Sequence, residues 1–248
     1  MCMRILHSTI ALLALIGCQH ATVKQTAKSS DSYLCRFASS PITIDGKLDE
    51  PAWRSAMVVK KFYPYPPDAK GDLPPTTARL LWDHDYLYVA YDNVDTDLHS
   101  FSTEHDAILS GGDQTELMLR PDLTKPVFIE FLVAPNGTFF DCRYPCRGEN
   151  FHLKYRNWES GAKVAAVAHG TDNDTSDTDR GYTVEMAIPL TAFADLSQPR
   201  NGVRWTFGVF RYDFDKSRSG PQLMMSIPES LHDGFHYYEG FNTLDFVQ

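Results

Sequence analysis

From residue 33 onward, apolar and polar residues alternate with a period of two in runs of five to ten residues. Clusters of Gly, Pro, Asn and Asp interrupt these runs at intervals of about ten to twenty residues. This pattern is typical of short β-strands that bury one face. It predicts strands over residues 77–82, 86–93, 115–120, 127–134, 137–143, 163–169, 182–188 and 203–214.

Turn signals connect these strands, and helical signal is sparse. Asp83-His84-Asp85 predicts a tight hairpin after the first strand, and Pro135-Asn136-Gly137 predicts a second one. One short helix is expected over residues 48–56, and a turn over 190–193. Many short antiparallel strands with so little helix predict an all-β fold, a β-sandwich of jelly-roll or immunoglobulin-like type with one short N-terminal helix.

The same alternation assigns side chains to faces of the sheet. In the strand over 115–120, Leu117 and Leu119 point one way and Glu116 points the other. In the strand over 127–134, Glu130 lies opposite the buried set of Val127, Ile129, Phe131 and Val133. Because neighbouring strands in sequence usually pair in space, we expect Glu116 and Glu130 to share the face turned away from the core, where a groove could lie.

Composition and charge narrow the function. The chain has 248 residues, of which 43% are hydrophobic and 22% charged, as in an ordinary globular protein, so disorder is excluded. Its formal net charge is -9 and no run of Lys or Arg occurs. Because nucleic-acid binding depends on basic patches that neutralise phosphates, a nucleic acid is not expected as a partner.

The N-terminus predicts export. Residues 1–17 combine a basic Arg4 with an apolar run over 10–16, which is the layout of a signal peptide and too short to span a bilayer. Leu15-Ile16-Gly17-Cys18 resembles the bacterial lipobox, which implies lipidation of Cys18 and anchoring at the outer membrane or cell surface, on its periplasmic or extracellular side. A plain signal peptide is the alternative. Residues 18–33 are expected to form a flexible tether, and 34–248 the domain.

Export to an oxidising compartment makes the remaining thiols relevant. Cys35, Cys142 and Cys146 stay in the mature chain. We expect a disulfide between Cys142 and Cys146, which would close a small loop, and this leaves Cys35 odd. A zinc site is a weaker alternative to the disulfide, because three cysteines without a further closely spaced ligand do not make a structural zinc site.

Four phrases in the order of the chain carry a family resemblance: ITIDGKLDEPAW from residue 42, ARLLWDHDYLYV from 78, DQTE from 113 and GYTVEMAIP from 181. They resemble the family 9 carbohydrate-binding module, a non-catalytic domain that accompanies secreted xylanases. The resemblance covers about residues 38–248. It implies a distorted antiparallel β-sandwich with bound calcium, which holds the end of a β-linked glucan or xylan chain between two aromatic rings.

The resemblance assigns roles to single positions. Glu116 falls on the family's sugar-binding carboxylate, and Phe235 falls on one of its two aromatic rings. Ser110 stands where the second ring should be, and Leu132 where a cationic hydrogen-bonding residue should be, so half of the expected clamp is missing. Trp158, in a loop-like segment, is a candidate for the replacement ring.

Other rings offer alternatives. Tyr63 and Tyr65, in a Pro-rich segment over 62–67, are further candidates for the missing platform. Trp53, Trp82 and Trp205 lie on amphipathic elements, and we expect them in the core.

One loop is rich in carboxylates. Residues 171–179 carry Asp172, Asp174, Asp177 and Asp179, and such closely spaced oxygen ligands suit calcium. The loop lacks the Gly and terminal Glu of a helix-loop-helix calcium site, and a solvated hairpin tip is the alternative.

The sequence therefore predicts non-catalytic binding of a β-linked polysaccharide or oligosaccharide by an exported lipoprotein that works beside glycoside hydrolases. One alternative is a structural or protein-interaction sandwich without sugar binding. A glycoside hydrolase is a second, with Glu116 and Glu130 as carboxylates about 5 to 10 Å apart, although no catalytic motif is present. A haem domain with Met118 as an axial ligand is a third.

Overall fold

The computed structural model describes residues 31–66, 69, 71–147, 154–215, 222–227 and 235–248. The predicted signal peptide, the lipidation site Cys18 and most of the predicted tether lie outside these residues. Within the described part of the chain, no helix is long and apolar enough to cross a membrane.

Thirteen strands make the described part of the chain all-β. They are β1 (Ser32–Phe37), β2 (Met57–Val59), β3 (Tyr63–Tyr65), β4 (Thr76–Trp82), β5 (Tyr86–Asn93), β6 (Gln114–Arg120), β7 (Phe128–Val133), β8 (Phe139–Tyr144), β9 (Lys163–Ala168), β10 (Tyr182–Pro189), β11 (Arg204–Asp213), β12 (Gln222–Met225) and β13 (Asn242–Val247). All eight predicted strands are confirmed, with ends that differ by at most two residues. The prediction missed β1, β2, β3, β12 and β13.

Hydrogen bonds join the strands into one continuous order, β8-β7-β6-β11-β13-β1-β4-β5-β10-β9, where two separate sheets were expected. The ladders are antiparallel except at β1, which runs parallel to both β13 and β4. Residues 32–36 of β1 pair with β13, and residues 36–37 pair with β4. Strand β1 therefore connects the two halves of the sheet.

A first hydrophobic core lies between these halves. Leu80, Val89 and Val184 from one half pack in the same cluster as Leu117 and Phe131 from the other half. All five side chains are fully buried. Because side chains from distant strands of the order share one cluster, the sheet is curled around this core.

A second hydrophobic cluster covers the opposite face of β6, β7, β8 and β11. Met118, Phe128, Phe140 and Phe210 belong to it, and Phe241 packs on them from the C-terminal segment. The face assignment from the alternation is therefore confirmed, since the residues predicted to face away from the first core do so. This second face is itself largely buried, which the sequence pattern did not predict.

The two predicted hairpins are present. The carboxylate of Asp83 accepts hydrogen bonds from the backbone N–H groups of Asp85 and Tyr86, both at 2.8 Å. Gly137 has a φ of +84° and donates its N–H to the carbonyl of Ala134 at 2.9 Å. Glycine adopts such a positive φ without the steric cost that a side chain brings.

The predicted helix over 48–56 is shorter and of another type. A 3₁₀-helix spans only Pro51–Ser55, and a second one forms at Leu190–Phe193, where a turn was expected. Pro51 opens the first helix, and the chain turns into β2 at Met57. The fully buried contact of Trp53 with Glu185 holds this turn against the sheet. The helix is therefore confined to the residues between Pro51 and the start of β2 at Met57.

The predicted disulfide between Cys142 and Cys146 is wrong, since Cys142 is a free, buried thiol. Cys142 lies inside β8, opposite Glu130, and its side chain belongs to the second cluster. Strand β8 continues past Cys142 to Tyr144, and the chain bends at Pro145 and Cys146. Burial raises the pKa of Cys142 to about 12. Cys35 is also free and buried.

Candidate functional site

A cavity of about 190 Å³ opens on the face of β6 and β7 that carries the second cluster. Both carboxylates singled out by the sequence line it, together with aromatic, amide and aliphatic side chains. The lining residues are Ile108, Leu109, Ser110, Gln114, Glu116, Glu130, Leu132, Phe140, Tyr144, Tyr212 and His236.

Strand register brings Glu116 and Glu130 together. Glu116 pairs with Leu132 and Met118 pairs with Glu130, so the two glutamates are diagonal neighbours on one face. Both are buried, and their carboxyl groups are hydrogen-bonded to each other. Burial, followed by the charge and hydrogen bond of Glu130, raises the pKa of Glu116 well above its usual range. The raised pKa favours the protonated form of Glu116.

Aromatic side chains surround Glu130. The hydroxyl of Tyr144 donates a hydrogen bond to Oε2 of Glu130, and Nε2 of His236 lies 3.8 Å from Oε1. The ring of Tyr144 stacks on Phe128 at 4.6 Å between centroids and meets the His236 ring edge-on at 5.4 Å. Burial and the charge of Glu130 raise the pKa of Tyr144, which keeps its hydroxyl protonated and donating.

Sequence reasoning missed Tyr144 and His236. The alternation in β8 contains the signal for Tyr144, because Phe140 and Tyr144 each lie two residues from Cys142, which is paired with Glu130. His236 carries no such signal. It reaches Glu130 from the C-terminal segment, which is 106 positions away in sequence.

Two buried oxygens of the cavity are acceptors without a partner among the described residues. They are Oε1 of Glu116 and Oε1 of Gln114. An unpaired buried acceptor costs free energy that a ligand hydroxyl or amine would recover. Leu109, Leu132 and Phe140 supply apolar surface beside them. The cavity thus suits a small ligand that has both hydroxyl groups and C–H faces.

Ser110 and Leu132, which depart from the family pattern, both line this cavity. The structure therefore places three of the four positions that the resemblance assigned, Ser110, Glu116 and Leu132, at one site. Compared with the family pattern, the cavity lacks one aromatic ring at Ser110 and one cationic side chain at Leu132. Tyr144, Tyr212 and His236 provide rings at other positions of the cavity wall.

Phe235 does not form an exposed stacking platform. Only 6% of its surface is exposed, and its ring stacks on Phe210 with centroids 4.4 Å apart. Tyr65 and Tyr212 close its edges at 5.2 and 5.5 Å. Because these rings cover Phe235, it is a packing residue of the second cluster, and it does not line the cavity.

Trp158 lies on the other side of β7 from the cavity. It is half-buried against the first core, with its ring 6.5 Å from that of Phe131. Phe131 points away from Glu130, so Trp158 does not supply the missing ring. Tyr63 and Tyr65 pack at the edge of the second cluster and are also absent from the cavity wall.

The predicted calcium loop uses its carboxylates to cap backbone groups. Asp179 is buried and accepts from the N–H groups of Leu98 and Thr171, both at 2.7 Å. Asp172 accepts from Ser100 N–H at 2.9 Å, and Asp174 accepts from Ser176. No three of the four carboxylates, Asp177 included, come within 4.8 Å of one another. Calcium binding at this loop therefore stays a prediction from the sequence, and we assign no ligands to it.

Two alternative activities conflict with the geometry. Glycosidases keep their two carboxyl groups about 5 to 9.5 Å apart, with room for a sugar or water between them, whereas those of Glu116 and Glu130 are in hydrogen-bond contact. Met118 is fully buried among apolar side chains of the second cluster and has no space for a haem.

A second, more open cleft of about 440 Å³ lies on the outer side of β4 and β5, near the first 3₁₀-helix. Acidic and basic side chains both line this cleft. The residues that the sequence predicted to bind carbohydrate do not line it. The lining residues are Leu48, Asp49, Glu50, Trp53, Arg54, Arg79 and Asp92.

An all-β sheet with a cavity of carboxyl and aromatic groups defines a binding domain for a small hydroxyl-bearing ligand. The model of the family described as "Carbohydrate family 9 binding domain-like" matches residues 44–241, and the chain belongs to this family. The predicted resemblance to family 9 is thereby confirmed. No curated protein sequence matches the chain.

Solved structures share the fold at low sequence identity. A candidate carbohydrate-binding protein from Bacteroides uniformis superposes with a TM-score of 0.64 at 13% identity, covering 88% of this chain and all of that one. A family 9 module from Caldicellulosiruptor kristjanssonii, in complex with cellotriose, gives a TM-score of 0.56 at 15% identity over 86% of this chain and 93% of its own. The same module with glucose gives 0.55 at 14%, over 86% of this chain and 95% of its own.

Proposed function

We propose that this protein binds carbohydrate without catalysis, in the cavity formed around Glu116 and Glu130. The observation that carries the proposal is the buried Oε1 of Glu116, an acceptor without a partner in the described chain, at a position that lines the cavity. A sugar hydroxyl would satisfy it, and the family consists of carbohydrate-binding domains.

The ligand we propose is the end of a β-linked glucan or xylan chain. A pyranose ring has hydroxyl groups for the carboxyl and amide oxygens and C–H faces for the apolar and aromatic wall. The cavity holds about 190 Å³, below the roughly 300 Å³ at which pockets for drug-sized ligands begin, so it takes one sugar unit rather than a longer segment. The related module from C. kristjanssonii was solved with cellotriose and with glucose, which supports this choice.

The cellular setting is proposed from the N-terminal sequence. Residues 1–17 would direct export, and Cys18 would carry a lipid that anchors the domain at the outer membrane or cell surface through the tether. The bound glycan would then be held near partner glycoside hydrolases. Membrane fractionation tests the anchor: Cys18→Ser should release the protein into the soluble fraction, and retention would contradict lipidation.

Calcium as a structural ion is a proposal from the family resemblance and has no assigned ligands here. If it holds, chelation with EDTA should lower the melting temperature, and added CaCl₂ should restore it. A melting temperature unchanged by both treatments would exclude a structural calcium.

Isothermal titration calorimetry with cellotriose, xylotriose and mannotriose tests the binding function. We expect saturable binding of at least one β-linked trisaccharide. Glu116→Ala should weaken it by about 0.5 to 1.5 kcal/mol, the usual net contribution of a neutral hydrogen bond, which is about two- to tenfold in affinity. Glu104→Ala, at an exposed glutamate in the loop before the cavity, is the matched control and should bind normally.

Absence of binding to all three trisaccharides would overturn the proposed function. Binding that Glu116→Ala leaves unchanged would keep carbohydrate binding but exclude this cavity as its site. Release of reducing ends on prolonged incubation with the trisaccharides would contradict a non-catalytic role.

A further inference from the structure

Three ionisable side chains meet at a site that the proposed carbohydrate binding does not use. Nε2 of His105 lies 3.2 Å from a carboxylate oxygen of Glu159 and 3.7 Å from one of Asp106. The ring of His105 is stacked on Phe139 at 5.8 Å, which holds its orientation. His105 is half-exposed, so the group can be reached from solvent.

The spacing of these ligand atoms fits a metal ion. One nitrogen and two carboxylate oxygens, one from each residue, all lie within 4.8 Å of one another. Bonds of about 2.0 to 2.2 Å to a tetrahedral zinc place neighbouring ligand atoms about 3.3 to 3.6 Å apart. The distances of 3.2 and 3.7 Å therefore allow the ion to enter with small side-chain shifts.

Asp141 provides a second, independent observation near these three side chains. It is fully buried, and while Oδ2 accepts from the backbone and hydroxyl of Ser160, Oδ1 has no partner among the described residues. Oδ1 of Asp106 is also buried without a partner there. Both would gain from a positive ion beside them.

Asp141 lies within electrostatic range of the same group, because the charges of Asp106 and Glu159 act on its buried carboxyl. Arg156 is the other positive charge that acts on Asp106.

We propose that His105, Asp106 and Glu159 bind a divalent transition-metal ion, with zinc as the best match, and that Asp141 supports the site from the buried side. An imidazole nitrogen combined with carboxylate oxygens suits zinc and its neighbours, whereas calcium and magnesium prefer oxygen ligands alone. Three protein ligands leave a fourth position for water.

The site has a structural consequence for the cavity. His105 and Asp106 lie in the segment that continues directly into Ile108, Leu109 and Ser110 on the cavity wall. Glu159 comes from the distant loop before β9. An ion bound by both segments would fix the wall against that loop, so zinc should raise the melting temperature of the folded protein.

Titration of the untagged, metal-free full chain with ZnSO₄ and CoCl₂ tests the proposal. Calorimetry should show one zinc ion per chain, cobalt should produce the visible absorption bands of a tetrahedral N,O site, and excess CaCl₂ should leave zinc binding intact. His105→Gln and Glu159→Gln should each weaken zinc binding at least tenfold. His84→Gln, at an exposed histidine between two aspartates, is the matched control and should bind like the parent.

Zinc binding that is absent, or that His105→Gln and Glu159→Gln both leave unchanged, would overturn the proposal. Circular dichroism of the metal-free variants shows whether they fold. Should His105→Gln unfold, Glu159→Gln decides alone, because Glu159 is largely exposed and its loss does not disturb the core. None of these measurements involves a sugar, so the outcome is independent of the proposed function.

Discussion

The indole Nε1 of Trp53 donates a hydrogen bond to Oε1 of the buried Glu185 at 2.9 Å. The other oxygen of Glu185 accepts from the backbone N–H groups of Asp45 and Gly46 at 3.0 and 2.9 Å. Two of the sequence phrases that carry the family resemblance, the first and the last, therefore meet at one carboxylate. This contact attaches the N-terminal segment of the domain to β10.

Trp53→Phe should destabilise the protein by about 1 to 3 kcal/mol, because it leaves a buried carboxylate oxygen without its donor. Urea unfolding followed by circular dichroism measures the free energy of unfolding. Trp158→Phe, at a half-buried ring against the first core, is the control and should cost less. Equal losses for the two variants would show that ring volume matters and the hydrogen bond does not.

Stability should fall between pH 4 and pH 8, because buried carboxyl groups take up protons on folding. Arg211 is buried with Asp95 and Asp213, at 2.8 and 2.7 Å, and burial raises the pKa of Asp95 to about 6 and that of nearby Asp113 to about 8. A carboxyl whose pKa is higher in the folded than in the unfolded state stabilises most below the unfolded pKa, and this stability is lost as the pH rises through the folded pKa.

Urea titrations at pH 5, 6.5 and 8 measure this slope. Asp113→Asn costs stability at every pH, because both Asp113 oxygens accept backbone hydrogen bonds, but it should flatten the slope between pH 6.5 and 8. A slope that stays the same in the variant would assign the pH dependence to other groups.

Glu116→Gln should increase stability at pH 8 relative to the parent. The folded pKa of Glu116 is raised, so the parent loses stability as the pH rises through it, whereas the neutral amide does not titrate and can donate to Glu130. The gain should disappear near pH 4, where the carboxyl is protonated in both states. Melting temperatures at the two pH values check this, and a loss that is the same at both would contradict the raised pKa of Glu116.

Tyr144→Phe should cost about 1 to 2 kcal/mol of stability, since it removes the hydroxyl that donates to Glu130 in a buried site. It should also weaken trisaccharide binding. Without the Tyr144 hydroxyl, Oε2 of Glu130 would accept hydrogen bonds from ligand hydroxyls and draw the ligand away from its normal position in the cavity. Tyr86→Phe, on β5 and outside the cavity, is the control for loss of a hydroxyl. Calorimetry and thermal melts on the same samples provide both readouts.

Local pattern was sufficient for much of the fold. The alternation predicted eight strands and the faces of Glu116 and Glu130, because β6 and β7 are adjacent in sequence and pair in register. It failed at β1 and β13, whose parallel pairing joins residues more than 200 positions apart. The pairing partner of such a strand is distant in sequence, so a local pattern does not identify it.

The amino-acid sequence by itself determined the all-β class, the family and the carboxylate pair of the cavity. Only the tertiary structure decided that Phe235 and Trp158 are covered by other side chains, that Cys142 remains a free thiol, and that Tyr144 and His236 surround Glu130. The physical reason is that period-two alternation reports which face a side chain occupies. What covers that face, and which titratable groups meet there, depends on contacts between segments that are distant in sequence.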